Sequence, residues 1–193
     1  LSGLTTRSQL PESLTISVRK AQNLRYGENP HQTAALYGKF NEHFKKLHGK
    51  ELSYNNILDM NAAALLCAEF DEPTAVIVKH NNPCGVASGA TLLDAYQKAL
   101  ATDPKSAFGG IVCVNRALDL ETAEALNEIF TEVVIAPEFA NRVLDFLMKK
   151  KDRRLIQQCI NLRKLRDLEI RSVTGGFLAQ DPDQHRLFAD QLK

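Results

Sequence analysis

Lys79 and His80 stand side by side at the end of the apolar run Ala75-Val76-Ile77-Val78, and the pair can do acid–base chemistry. A histidine can take or give a proton near neutral pH. A partly desolvated lysine can donate to a developing negative charge. The four apolar residues, three of them β-branched, read as a strand buried on both faces, the pattern usual in a parallel sheet. An unpaired ammonium is costly to bury. The strand therefore ends near Lys79, and Asn81-Asn82-Pro83-Cys84-Gly85 reads as the turn that ends it. Ligands of open α/β sheets bind beyond the carboxyl ends of the strands. Adjacent strand residues point to opposite faces, so both side chains serve one pocket only if the chain leaves β geometry between them. The plainer alternative is a lysine lying along the strand end and a histidine closing a turn.

Two loops add candidates. Arg25-Tyr26-Gly27-Glu28-Asn29-Pro30-His31-Gln32 offers an arginine that can grip phosphate and a tyrosine that can stack on a flat ring. By itself it reads first as a polar surface loop. In Asp103 to Gly110, Asp-Pro starts a turn and Gly109-Gly110 lets the backbone approach a ligand closely. It lacks the spacing of a P-loop or dinucleotide fingerprint and otherwise reads as a tight connection. His80 and Cys84 lie four apart, but no second cysteine follows at short spacing and no His-x-Glu motif occurs. The zinc deaminase signature is thus absent and no metal is expected. There is no Gly-x-Ser-x-Gly nucleophile elbow either.

The elements that must position these residues alternate in type. Leu14 to Val18 and Ala34 to Tyr37 read as short strands on either side of the first loop, and Asn56 to Phe70 as a helix stopped by Asp71-Glu72-Pro73. Ala75 to Val78 is a strand. Leu92, Ala95, Tyr96, Ala99 and Leu100 mark a helix capped by Thr91 or Ser88. Ile111 to Val114 and Val133 to Ile135 are further buried strands, separated by a helix over Leu120 to Ile129 whose start suits Asp119 and Glu121. A helix over Glu138 to Lys149 and strands over Arg154 to Ile160 and Gly176 to Gln180 follow, while Leu162 to Ile170 is ambiguous. The alternation predicts an α/β fold with parallel strands and helical crossovers.

The chain has 193 residues, 44% apolar and 24% charged, with a net charge of +1, which suits one soluble domain and gives no global field for nucleic acid or an anionic membrane. The longest apolar stretch, Ala62 to Ala68, is too short to span a bilayer, and Leu1 to Leu10 lacks the core of a secretory signal. Four scattered cysteines read as reduced, mostly buried thiols of a cytoplasmic protein. A first residue of Leu rather than Met reads as a processed or cut-out piece.

Five motifs occur in one order. They are Arg25 to Gln32, Glu51-Leu52-Ser53-Tyr54-Asn55-Asn56-Ile57, Val78 to Ala87, Asp103 to Gly110, and Glu132-Val133-Val134-Ile135-Ala136-Pro137. Together they closely resemble the AICAR transformylase domain of bifunctional purine biosynthesis enzymes in their bacterial form, over about Leu14 to Asp183. The resemblance implies a cytidine-deaminase-like layered α/β unit with a mainly parallel central sheet and no zinc. Residues 1–193 would be the first of two such units, with 1–50 as a lead-in segment carrying the nucleotide-binding loop. The second unit and the IMP cyclohydrolase domain would lie outside this chain.

The resemblance also implies formyl transfer from 10-formyltetrahydrofolate, as co-substrate, to the amine of 5-aminoimidazole-4-carboxamide ribonucleotide, in a homodimer. His80 matches the catalytic histidine, and Lys79 the lysine that stabilises the oxyanion at the formyl carbon. Arg25 and Tyr26 match residues that hold the nucleotide, and Asn56 an asparagine near the substrate. Phe108 and Gly109 match the loop that lines the ring, with Lys105 toward the folate. Glu132 matches an acidic position on the ribose or amine side. The competing reading is an inactive ribonucleotide-binding or dimerisation module that lacks half of the site.

Overall fold

The apolar runs Ala75 to Val78, Ile111–Val114 and Val133–Ala136 lie in strands at the centre of the molecule. The computed structural model describes residues 10–165, 167–183 and 185. An antiparallel pair, β1 (Lys20–Leu24) and β2 (Ala34–Tyr37), comes first. A short helix α1 (Phe40–His43) leads into β3 (Phe44–His48), and α2 (Tyr54–Ala68) into β4 (Thr74–Lys79) and β5 (Asn82–Ser88). Then come α3 (Leu92–Thr102), the one-turn α4 (Pro104–Ala107), β6 (Ile111–Val114), α5 (Leu120–Asn127), β7 (Val133–Ala136), α6 (Val143–Leu147) and β8 (Arg154–Gln158). A separate hairpin of β9 (Glu169–Val173) and β10 (Gly176–Gln180) follows, its side chains almost all exposed.

The central sheet has six strands in the order β3-β8-β7-β6-β4-β5. β6, β7 and β8 are parallel, β4 runs antiparallel to β6, and β5 antiparallel to β4. Four of the six strands (β5, β6, β7 and β8) thus share a direction, and β3 and β4 oppose it. The core follows from strand alternation. Ala75, Ile77, Val112, Val114 and Val134 pack with residues of α3, α5 and α6 on one face. Val76, Val78, Ile111, Cys113 and Ile135 pack with Met60, Ala63, Ala64 and Cys67 of α2 on the other. Helices on both faces therefore explain why β4 is apolar at every position from Ala75 to Val78. The expectation that β4 is a parallel strand is corrected, because both of its ladders are antiparallel.

Helix starts follow the expected caps. Thr91 Oγ1 accepts from Asp94 N at 3.1 Å, and Asp119 Oδ1 from Thr122 N at 2.8 Å. Ser53 and Asn56 form a reciprocal capping box at the start of α2.

Several boundaries differ from the sequence reading. Leu14 to Val18 is not a strand; Leu14, Ile16 and Val18 are exposed, and the pairing starts at Lys20. The helix expected over Glu138 to Lys149 shrinks to Val143–Leu147, because Glu138 and Ala140 bond to Leu118 and Arg142 takes a left-handed φ of 68°. Asn82 to Gly85 belongs to a strand rather than a turn. Cys67 and Cys113 are buried, Cys84 is half-buried and Cys159 is exposed, all four as free thiols. Among the described residues, no helix is long and apolar enough to cross a membrane.

Candidate active site

The β4–β5 connection is a two-residue hairpin turn. Lys79 pairs with Asn82, and His80 and Asn81 between them have φ of 52° and 61°. Two left-handed central residues define the tight turn whose twist matches that of its strands. The chain thus leaves extended geometry between Lys79 and His80, so strict alternation no longer forces the two side chains apart. Lys79 is half-buried and donates from Nζ to the Phe108 carbonyl at 2.7 Å. An ammonium has three N–H groups, so two remain for other acceptors. His80 is exposed at the tip. Asn82 Nδ2 donates to the His80 carbonyl at 2.9 Å, and Asn81 N to Asp59 Oδ1 at 2.6 Å.

Phe108 follows α4, with 58% of its surface exposed. Its ring centroid lies 5.5 Å from that of Phe130, tilted by 51°. Gly109 has φ 74° and donates to the Phe130 carbonyl at 2.7 Å, a backbone conformation that suits glycine. Asp103 caps α4 through Ser106 N at 3.0 Å and accepts from Ser106 Oγ at 2.6 Å, and these bonds hold its carboxyl below the usual range. Lys105 is exposed on α4, next to this strip.

A second cluster lies along the same edge of the sheet. Glu132 Oε1 accepts from Arg154 Nη1 at 2.7 Å and from Asn56 Nδ2 at 3.2 Å. Arg154 also donates to the Glu51 carbonyl from Nε at 3.1 Å and Nη2 at 3.0 Å. Asn56 is 6% exposed and spends its Oδ1 on the α2 cap, leaving one amide N–H uncommitted. Asn55 Nδ2 reaches the Glu28 carbonyl at 3.5 Å, which ties the Arg25–Gln32 loop to the start of α2. In that loop the exposed Arg25 guanidinium lies 5.5 Å from the centroid of the Tyr26 ring.

The structure therefore joins Lys79 directly to Phe108 and Asn56 directly to Glu132. Asp59 links α2 to the histidine turn. Arg25 and Tyr26 are tied to this end of the sheet through their loop, by the Asn55–Glu28 bond, and among the described residues no hydrogen bond or ion pair joins Lys105 to Lys79 or His80. Sequence reasoning missed Asp59 and Arg154. The one signal for Arg154 was a charged residue opening an apolar strand.

One premise is corrected. Lys79 and His80 end β4, but β4 opposes β6, so they lie at the amino ends of β5 to β8. The carboxyl ends of β6, β7 and β8 border a different cavity of 510 Å³, lined by residues that include Cys67, Asn115, Arg116, Pro137, Gln158 and Arg163. Among the described residues, no cluster of three His, Cys, Asp or Glu side chains could hold a metal ion.

The family model described as AICARFT/IMPCHase bienzyme matches residues 1–193. The chain belongs to that family. It is 51% identical to the bifunctional purine biosynthesis protein PurH of Chlorobaculum parvum over 94% of this chain and 36% of that protein. It is 53% identical to PurH of Chloroflexus aurantiacus over 95% of this chain and 36% of that protein. PurH of Halalkalibacterium halodurans is 49% identical, over 95% of this chain and 37% of that protein. The chain thus spans little more than a third of the length of these AICARFT/IMPCHase relatives.

Proposed function

We propose that the edge around Lys79 and His80 is part of a formyl-transfer site of purine biosynthesis. In this reading, 10-formyltetrahydrofolate gives its formyl group to the amine of 5-aminoimidazole-4-carboxamide ribonucleotide. The observation that carries the reading is the turn itself. In a chain of the AICARFT/IMPCHase family, it presents an exposed histidine directly beside a lysine tethered to the Phe108 loop.

The chemistry asks for both residues. The amine is a poor nucleophile, because the ring and carboxamide withdraw its lone pair. As its nitrogen bonds to the formyl carbon, His80 takes the amine proton. The Lys79 ammonium stabilises the oxyanion that forms on that carbon. The oxyanion then re-forms the carbonyl, the bond from the carbon to the folate nitrogen breaks, and that nitrogen takes a proton with the help of Lys79, which regains one from the protonated His80. Arg25 and Tyr26 hold the phosphate and the nucleotide, and Phe108 and Gly109 line the ring. Asn56 and Glu132 face the ribose or amine side, and Lys105 faces the folate. The fold is a cytidine-deaminase-like unit. The remaining walls come from outside this chain, in a homodimer of the complete enzyme in the cytoplasm.

A second reading is favoured by the exposure of His80 and Phe108 and by the chain's share of its relatives' length. The chain alone would bind the ribonucleotide or pair with a partner without turnover. Mixing the chain with the nucleotide and the formyl donor, and following tetrahydrofolate release by absorbance, separates the two. Release supports transfer by this chain. No release, together with a rise in Tm on adding nucleotide, supports the binding module. Neither response, also in the full-length enzyme, would contradict the whole assignment.

A further inference from the structure

We propose that Asp59 is a positioning residue for His80, acting through the backbone of the β4–β5 turn. The inference rests on the transfer reading above and adds the group that holds the histidine where that reading needs it.

The turn has no glycine at either of its two left-handed positions. Hairpin turns with two left-handed central residues prefer Asn-Gly or Asp-Gly. Here the two positions are His80 and Asn81, at φ 52° and 61°. Histidine and asparagine enter that region more readily than most residues, but without glycine the backbone still costs energy there and persists only where the surroundings over-determine it. Three contacts do so. Lys79 Nζ holds the Phe108 carbonyl on one side, and Asn82 Nδ2 caps the His80 carbonyl from within the hairpin. The third contact, Asn81 N–H to Asp59 Oδ1 at 2.6 Å, comes from a carboxylate on another element.

Asp59 is well placed to act as the anchor. It lies on α2 three residues after Asn56, so the two side chains share one side of the helix. α2 packs against β4, β6 and β7, which makes it a rigid base. A carboxylate accepting from a backbone N–H forms a short, charge-assisted bond. One helix thus fixes both halves of the candidate site: Asn56 holds Glu132, and Asp59 holds the turn. Without that acceptor the Asn81 N–H must find water, the turn relaxes, and the imidazole moves with it. A displacement of about 1 Å can cost on the order of 10²-fold in rate.

The test uses the intact enzyme with any flanking residues retained. Asp59→Ala is expected to lower kcat by about 10- to 100-fold while KM for both substrates stays within about threefold. Asp59→Asn keeps an oxygen acceptor and should stay within about fivefold of wild type. Asn81→Gly in the Asp59→Ala background should recover about tenfold or more in kcat, because glycine holds positive φ unaided. Amide hydrogen exchange at Asn81 should rise in Asp59→Ala and stay slow in Asp59→Asn. A folded Asp59→Ala enzyme with wild-type kcat overturns the proposal. So does unchanged exchange at Asn81, or equal loss in Asp59→Ala and Asp59→Asn with no recovery by glycine. The exchange measurement needs no turnover. If wild-type enzyme transfers no formyl group while Asn81 still responds, the tether stands and the reaction assignment falls.

Discussion

Replacing Glu132 by glutamine should strand a positive charge. Glu132→Gln keeps the shape of the side chain and an oxygen that can still accept from Asn56, so the loss is mainly one of charge. Arg154, whose side chain is 11% exposed, then faces a neutral amide, while the Glu132 side chain it lost was 37% exposed. Breaking a fully buried pair costs about 3–5 kcal/mol and an exposed one about 0–1 kcal/mol. The pair lies between these limits. Arg154 keeps its two bonds to the Glu51 carbonyl, and water reaches position 132. The expected cost is about 2 kcal/mol. For a domain of this size that lowers Tm by about 4–8 °C.

A double-mutant cycle with Arg154→Met separates this account from a general packing effect. Arg154→Met removes the charge that Glu132→Gln would strand, so the double variant should be little less stable than Arg154→Met alone. The two single costs should then exceed the double cost by about 1–1.5 kcal/mol, measured by urea unfolding followed by circular dichroism. Costs that add within about 0.5 kcal/mol would refute the reasoning.

Three further outcomes can be measured. His80→Ala should lower kcat of the complete enzyme by about 10²–10⁴-fold, and near-wild-type turnover would remove His80 from the mechanism. Gly85→Ala should destabilise the chain by about 2–3 kcal/mol, because its Cβ would lie 2.1 Å from the Ala99 carbonyl oxygen of α3; wild-type stability in urea would show that β5 and α3 can separate. Asp103 has its carboxyl held low by Ser106, so its contribution to stability is present above the unfolded carboxyl value of about 3.9 and is lost as pH falls through the lower folded value. Asp103→Asn should therefore flatten the acid limb of Tm against pH, and an unchanged limb would contradict that cap.

The sequence exposed the fold where burial is two-sided. Ile111–Val114 and Val133–Ala136 are apolar at every position because helices cover both faces, so they read as strands without ambiguity. The two edges of the sheet were hidden for different reasons. β3 carries Lys45, Lys46 and His48 in five residues and looks like surface chain. β5 begins Asn82-Pro83 and contains Gly85, all turn residues, yet an edge strand tolerates a proline, and glycine there admits the close backbone of α3. Leu14 to Val18 shows the converse. It has the alternation of a strand, but no partner bonds it among the described residues. Lys79 and His80 stood out as a candidate site in the sequence because charge at the end of a buried strand is unusual. Asp59 and Arg154 were not, because each matters through a bond to a residue 22 positions away that no local pattern announces.

The most direct measurement is a crystal structure of the complete enzyme with 5-aminoimidazole-4-carboxamide ribonucleotide bound. The carboxamide and amine should lie within hydrogen-bond reach of His80 and Lys79, the ring against Phe108 and Gly109, and the phosphate on Arg25. A nucleotide seated in the 510 Å³ cavity beside Asn115 and Arg116, with the β4–β5 turn untouched, would contradict that arrangement.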